Sequence, residues 1–200
     1  MASRTRPVPL TRGATLVLLA GGRSTRMGTP KRDLKVGTQT LLEWMVARLG
    51  PAFADTLVCG ASAPKGARAV ADLRTDGGPL AGVEAGLRTA RTDFAFVLAC
   101  DMPRASARLA ELLIERCAGH DAAVPRTALA QPLCAAYARA AATKISAFLD
   151  RGGHRVIRAL DSLDVAYVEA SDLVRVGIDT QELVDMDTPA DYEAFIASLR

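Results

Sequence analysis

Short apolar runs alternate along this chain with stretches of helical periodicity, and that alternation restricts the fold more than any other feature. Strand-length runs fall at 14–20, 55–59, 94–99, 122–124, 133–137 and 165–169, and helical patterns at 41–49, 80–90, 106–118, 139–150 and 189–199. Strands separated by helices imply βαβ units and a largely parallel sheet. The first and third runs are almost unbroken apolar segments, which predicts strands covered by helices on both faces. The expected architecture is an α/β, three-layer, Rossmann-like fold with a mostly parallel sheet. Residues 1–13 contain Arg4, Arg6, Arg12, Pro7 and Pro9 with no apolar block, and are expected to be a flexible tail. No repeat or linker divides residues 14–200, which read as a single domain large enough to bury its own core.

Charge and cysteine usage exclude several functional classes. The 25 basic and 22 acidic residues leave a net charge of +3, too little for a nucleic-acid surface. Cys59, Cys100, Cys117 and Cys134 are far apart, with no C-x-x-C and no histidine at ligand spacing, so they read as reduced, buried thiols. No apolar stretch reaches the roughly 18 residues of a membrane span. The expected setting is the cytoplasm, with neither nucleic acid nor membrane as partner.

The first apolar run stops at Gly21-Gly22, and the loop that follows has five basic residues, Arg23, Arg26, Lys31, Arg32 and Lys35, against the single acid Asp33. Glycine backbone approaches an anion closely, free N–H groups in such turns cradle it, and nearby cations stabilise developing phosphoryl charge. This pattern predicts a triphosphate-handling loop at a strand end. It is neither a Walker A motif nor a G-x-G-x-x-G dinucleotide fingerprint, which disfavours a Rossmann dehydrogenase. Arg23 and Arg32 individually are expected in solvent. Ligands of open α/β sheets bind beyond the carboxyl ends of strands, so the run at 94–99, which leads into Cys100-Asp101-Met102-Pro103, should open on the same crevice. Asp101 is a hard oxygen ligand suited to Mg²⁺, with capping of the next helix as its alternative.

Three further segments supply candidates. Gly77-Gly78-Pro79 starts a helix whose buried stripe is Leu80, Val83, Leu87 and Ala90, while Gly82 and Gly86 let it press on the sheet. Asp72 or Asp76, just before it, could accept hydrogen bonds from a base. Gln131 could face the site, Arg155 is a candidate acceptor-side contact, and His154 has no role. Asp185 and Asp187 are two apart, on one side of an extended segment; Asp187 or Thr188 could equally cap the last helix.

LAGGRSTRMGTPK, GGPLAG, CDMP, QPLCAAY and MDTPADY, in this order between residues 19 and 192, resemble the molybdenum cofactor guanylyltransferases of the nucleotidyltransferase superfamily. The resemblance implies a nucleotidyltransferase fold, GTP as donor, molybdenum-molybdopterin as acceptor, and Mg²⁺, with Mn²⁺ as a substitute. It also implies proteins that deliver the cofactor and apo-enzymes that receive it. Leu19, Ala20, Gly21, Gly22 and Arg26 become nucleotide contacts. Lys31 is similar to the family lysine on the triphosphate, Asp72 (or Asp76) to the aspartate before the G-P-L-A-G turn, and Asp101 to the metal ligand that also contacts GTP. Asp187 would be a second metal anchor. Two departures stand out: Cys59-Gly60 replaces a family asparagine, and Asp185 and Asp187 replace N-x-N before Thr-Pro, as in the related cytidylyltransferases.

The implied reaction is in-line attack of the molybdopterin phosphate on the α-phosphorus of GTP, releasing pyrophosphate, with Lys31 and Asp101 as the catalytic pair. The alternatives are cytidylyl transfer from CTP and a GTP-binding module without turnover.

Overall fold

The computed structural model describes residues 9–21, 29–71, 73–74 and 77–199. Among these, seven strands form one sheet in the order β5-β4-β1-β6-β8-β7-β9. The strands are β1 (Ala14–Leu19), β4 (Asp55–Cys59), β5 (Arg68–Val70), β6 (Phe94–Ala99), β7 (Ala122–Arg126), β8 (Cys134–Ala138) and β9 (Val165–Glu169). Only β8 runs against its neighbours. Seven residues separate β7 from β8, too few for the crossover that parallel pairing requires, so the chain turns back on itself. A small hairpin, β2 (Lys35–Val36) with β3 (Gln39–Thr40), stands apart from the sheet.

The two nearly unbroken runs became the two central strands. β1 lies between β4 and β6, and all six of its residues are buried. Its side chains alternate between two cores: Leu16 and Leu18 face one, Val17 and Leu19 the other. The first core is closed by α1 (Leu41–Leu49), α3 (Ala107–Cys117), α6 (Ala170–Arg175) and α7 (Pro189–Ala197). The second is closed by α2 (Gly78–Thr89), α4 (Ala141–Asp150) and α5 (Val156–Ala159). This is the expected three-layer α/β arrangement. Each fully buried Leu or Val contributes about 1.5–3 kcal/mol.

Glycines set the depth of α2. A Cβ on Gly86 would lie 2.4 Å from Val17 Cγ1, and one on Gly82 3.0 Å from Leu19 Cδ2. The helix therefore rests on β1 at a distance that larger residues would not permit, and it buries Leu80, Val83, Leu87 and Ala90 as its pattern predicted.

Within the segment expected as a tail, Leu10–Gly13 form a 3₁₀ turn in which Thr11 is buried, and the Leu10 N–H donates to Glu111 on α3. Among the described residues no helix is long and apolar enough to cross a membrane.

Candidate active site

Three strand ends lie side by side at one edge of the sheet. The Ala20 N–H donates to the Cys59 carbonyl at 2.9 Å, and the Cys100 N–H to the Leu19 carbonyl at 3.1 Å. At Gly21 and Gly60 the turns leaving β1 and β4 meet backbone to backbone. Gly60 has φ +79°, and a Cβ there would come within 2.6 Å of Gly21 Cα. Positive φ without strain is a property of glycine, and here the close approach demands it as well. Of the Cys59-Gly60 pair, which stands where the resemblance implies an asparagine, Gly60 has no room for a side chain. Gly22, Arg26, Asp72 and the competing Asp76 lie outside the described residues.

Beyond these ends sits the central cluster. Lys31, in a 3₁₀ turn (Lys31–Asp33) after Pro30, donates from Nζ to Asp101 Oδ2 at 3.1 Å and to Asp187 Oδ1 at 2.5 Å. Residues 70 and 156 positions away in sequence thus meet on one ammonium. The Lys31 side chain is only 13% exposed, whereas Asp101 and Asp187 are 31% and 52% exposed, so the cluster is roofed on the lysine side and open on the carboxylate side. Burial pulls the Lys31 pKa down, but the bonds and charges of Asp187 and Asp101 outweigh it and leave the ammonium more firmly protonated than usual. Asp185 does not bond to the lysine. Desolvation first, then the negative charges of Asp101 and Asp187, push its carboxyl up.

Capping does not consume these carboxylates. Ser106, not Asp101, caps α3 by accepting from the Leu109 N–H. Thr188, not Asp187, caps α7 in a reciprocal box with Asp191. Met186 is fully buried and its N–H donates to the Asp101 carbonyl at 2.7 Å. With Met186 inward, its neighbours turn outward, and Asp187 reaches the crevice.

Other residues hold the cluster that sequence reasoning missed. Arg32, expected in solvent, donates to the Ala20 carbonyl at 2.9 Å and so clamps the end of β1. Arg48 donates to the carbonyls of Pro103 and Ala105 at 2.6 and 2.5 Å, and its guanidinium lies 4.7 Å from the Trp44 ring centroid. Trp44 in turn meets Phe195 of α7 edge to face at 5.4 Å. The loop after Asp101 and the helix after Asp187 are thereby fastened to the same two residues of α1. Only the i,i+4 spacing of Trp44 and Arg48 hinted at this. Arg155 is exposed at the start of α5, in the other helical layer.

Two carboxylates converging on one cation make a hard-oxygen donor pair. Among the described residues no group of three or more His, Cys, Asp or Glu could hold a metal alone. Mg²⁺ is bound characteristically by one or two carboxylates, with phosphate and water completing its shell, so Asp101 and Asp187 fit it. Cys100, the thiol beside them, is pushed up to about 12 by burial and by Asp101. It stays protonated and is no nucleophile.

The description "MobA-like NTP transferase domain" matches residues 16–165, three quarters of the chain. This chain belongs to that family. The match begins within β1 and ends at the first residue of β9, so it takes in Lys31 and Asp101 and leaves Asp187 outside.

Relatives of this MobA-like transferase narrow the family further. A probable molybdenum cofactor guanylyltransferase of Pelotomaculum thermopropionicum is 35% identical over 89% of each chain. The molybdenum cofactor guanylyltransferase of Syntrophotalea carbinolica is 31% identical over 88% of each. The molybdopterin-guanine dinucleotide biosynthesis protein A of Archaeoglobus fulgidus superposes with a TM-score of 0.81 at 26% identity, covering 93% of this chain and all of its own. The MobA-like transferase is therefore a nucleotidyltransferase of the molybdenum cofactor guanylyltransferase family, as its ordered motifs implied.

Proposed function

We propose that this enzyme transfers GMP from GTP to the terminal phosphate of molybdenum-molybdopterin. An oxygen of the acceptor phosphate bonds to the α-phosphorus, the bond from that phosphorus to the β-phosphate oxygen breaks, and pyrophosphate leaves. The observation that carries this reading is the meeting of Lys31, Asp101 and Asp187 at the carboxyl ends of β1 and β6, where α/β sheets bind nucleotides.

Each residue has a physical task in this reading. Leu19, Ala20 and Gly21 present backbone to the nucleotide, and Arg32 keeps that backbone in place. Lys31 carries a fixed positive charge for the departing pyrophosphate. Mg²⁺ held by Asp101 and Asp187 would neutralise phosphoryl oxygens as charge shifts to the leaving group. The acceptor is already an anion, and Cys100 is held as a neutral thiol, so direct displacement needs no protein nucleophile. Catalysis is then positioning plus electrostatics. Gly22, Arg26 and Asp72 complete the nucleotide contacts in the proposal. Four cysteines buried as small apolar groups suit the cytoplasm.

The test is a single-turnover assay with Mg²⁺, molybdenum-molybdopterin and either GTP or CTP, reading pyrophosphate and the pterin product. GMP-bearing dinucleotide from GTP, and little product from CTP, is the expected result. Equal or better product from CTP would transfer the proposal to cytidylyl chemistry.

A further inference from the structure

The ammonium of Lys31 stands where a metal shared by Asp101 and Asp187 would stand. It lies 3.1 Å from one carboxylate and 2.5 Å from the other. A Mg²⁺ ion bound by those same two oxygens, Asp101 Oδ2 and Asp187 Oδ1, would need to approach each to about 2.1 Å, and it cannot do so while the ammonium holds both. Two positive centres some 4 Å apart also repel each other. The metal and the lysine therefore compete for one position.

A triphosphate changes the balance. It brings several negative charges to the open side of the cluster and offers the ammonium new acceptors. Lys31 reaches the cluster from a 3₁₀ turn on a four-carbon stem, so its head group can shift between partners while the backbone stays fixed. Asp101 and Asp187 have less freedom: the Met186 N–H bonds the Asp101 carbonyl, and Thr188 and Asp191 brace the segment that carries Asp187.

We propose that Lys31 is the resident cation of the Asp101–Asp187 pair and that it exchanges with the metal: nucleotide draws the ammonium onto its phosphates, and only then do the carboxylates take Mg²⁺. This rests on the metal role assigned to the pair under the proposed function. The enzyme thus guards its carboxylates against free divalent ions and assembles the metal site only around a nucleotide. Affinity for metal becomes conditional on donor occupancy.

The test uses Mn²⁺ binding, read by electron paramagnetic resonance and calorimetry, on the full-length protein with and without a non-hydrolysable GTP analogue. Without nucleotide, Lys31→Met should bind Mn²⁺ about tenfold or more tighter than wild type, the scale of one lost partly buried charge pair. Lys31→Arg should remain weak, because a guanidinium keeps the cation in place. With saturating analogue the gap between wild type and Lys31→Met should close. Adding Asp101→Asn to Lys31→Met should abolish the gain. Lys31→Gln, which keeps a polar head, gives the same comparison if the methionine variant folds poorly. If Lys31→Met binds Mn²⁺ no better than wild type while Asp101→Asn weakens Mn²⁺ in the nucleotide complex, the exchange is wrong and the metal role stands. If Asp101→Asn leaves Mn²⁺ binding in the nucleotide complex unchanged, both fall together.

Discussion

The charges around Glu84 and those around Lys31 are built from the same groups and are satisfied in different ways. Glu84, on α2, is 3% exposed and accepts from Arg74 Nε at 2.6 Å and from Arg88 Nε at 3.1 Å. Arg74 continues to Asp150 at 2.8 Å and to the Ser146 hydroxyl at 3.1 Å on α4. One buried acid has two arginines. Around Lys31 the ratio is reversed: one ammonium serves two carboxylates, a third stands beside them, and the acidic side faces solvent. A surplus of partners locks two helices together. Among the described residues, carboxylates outnumber the ammonium they share at the open edge.

The largest effect should come from the open cluster. Lys31→Ala is expected to lower turnover by about 10²- to 10³-fold, the scale of one deleted transition-state donor, with little change in melting temperature. Full turnover at saturating substrate would remove Lys31 from the reaction. The closed cluster should respond in the opposite sense. Glu84→Ala removes the acid that Arg74 and Arg88 share, while Arg74 keeps Asp150 and Ser146, and should cost about 1–3 kcal/mol of stability in denaturant titration, with turnover unchanged.

Acid sharpens the same contrast. Burial pushes the Glu84 carboxyl up, but Arg74, Ser146 and Arg88 outweigh it and hold its pKa below the ordinary 4.5. A lowered folded pKa gives stability that is fully present above the unfolded value and is lost as pH falls through the folded one. Melting temperature should therefore hold from neutrality down to about pH 5 and drop further down. Glu84→Gln should flatten that acid limb; an unchanged limb would show that other carboxylates dominate it.

Smaller effects concern the scaffold. Gly86→Ala forces α2 away from Val17 and should destabilise by about 1–3 kcal/mol, measured as a lower midpoint in urea. Thr188→Ala removes the α7 cap and should cost about 1 kcal/mol. Because that cap braces Asp187, its metal affinity should weaken slightly, while Ser106→Ala, capping α3, should affect stability alone.

Much of this was legible in the sequence. The buried runs became β1 and β6, and the strand-end rule pointed to the adjoining ends that lead into Gly21 and Asp101. The elements missed were short: β5, the β2–β3 hairpin and α6 span two to six residues each, too few to show a period. Arg32 and Arg48 escaped because each returns a long side chain to a distant backbone carbonyl, a contact with no local pattern. In sequence Asp187 and Thr188 are equal capping candidates because both types cap helices; the Asp191 N–H, which donates to the Thr188 hydroxyl, decides between them.

The backbone contact between Gly21 and Gly60 has a practical bearing on re-engineering base preference. An asparagine grafted onto position 60 would drive its Cβ into the main chain at Gly21, where the proposed nucleotide would rest. A designer seeking to retune this enzyme must either remodel both turns in concert or install new recognition groups elsewhere along the cleft wall.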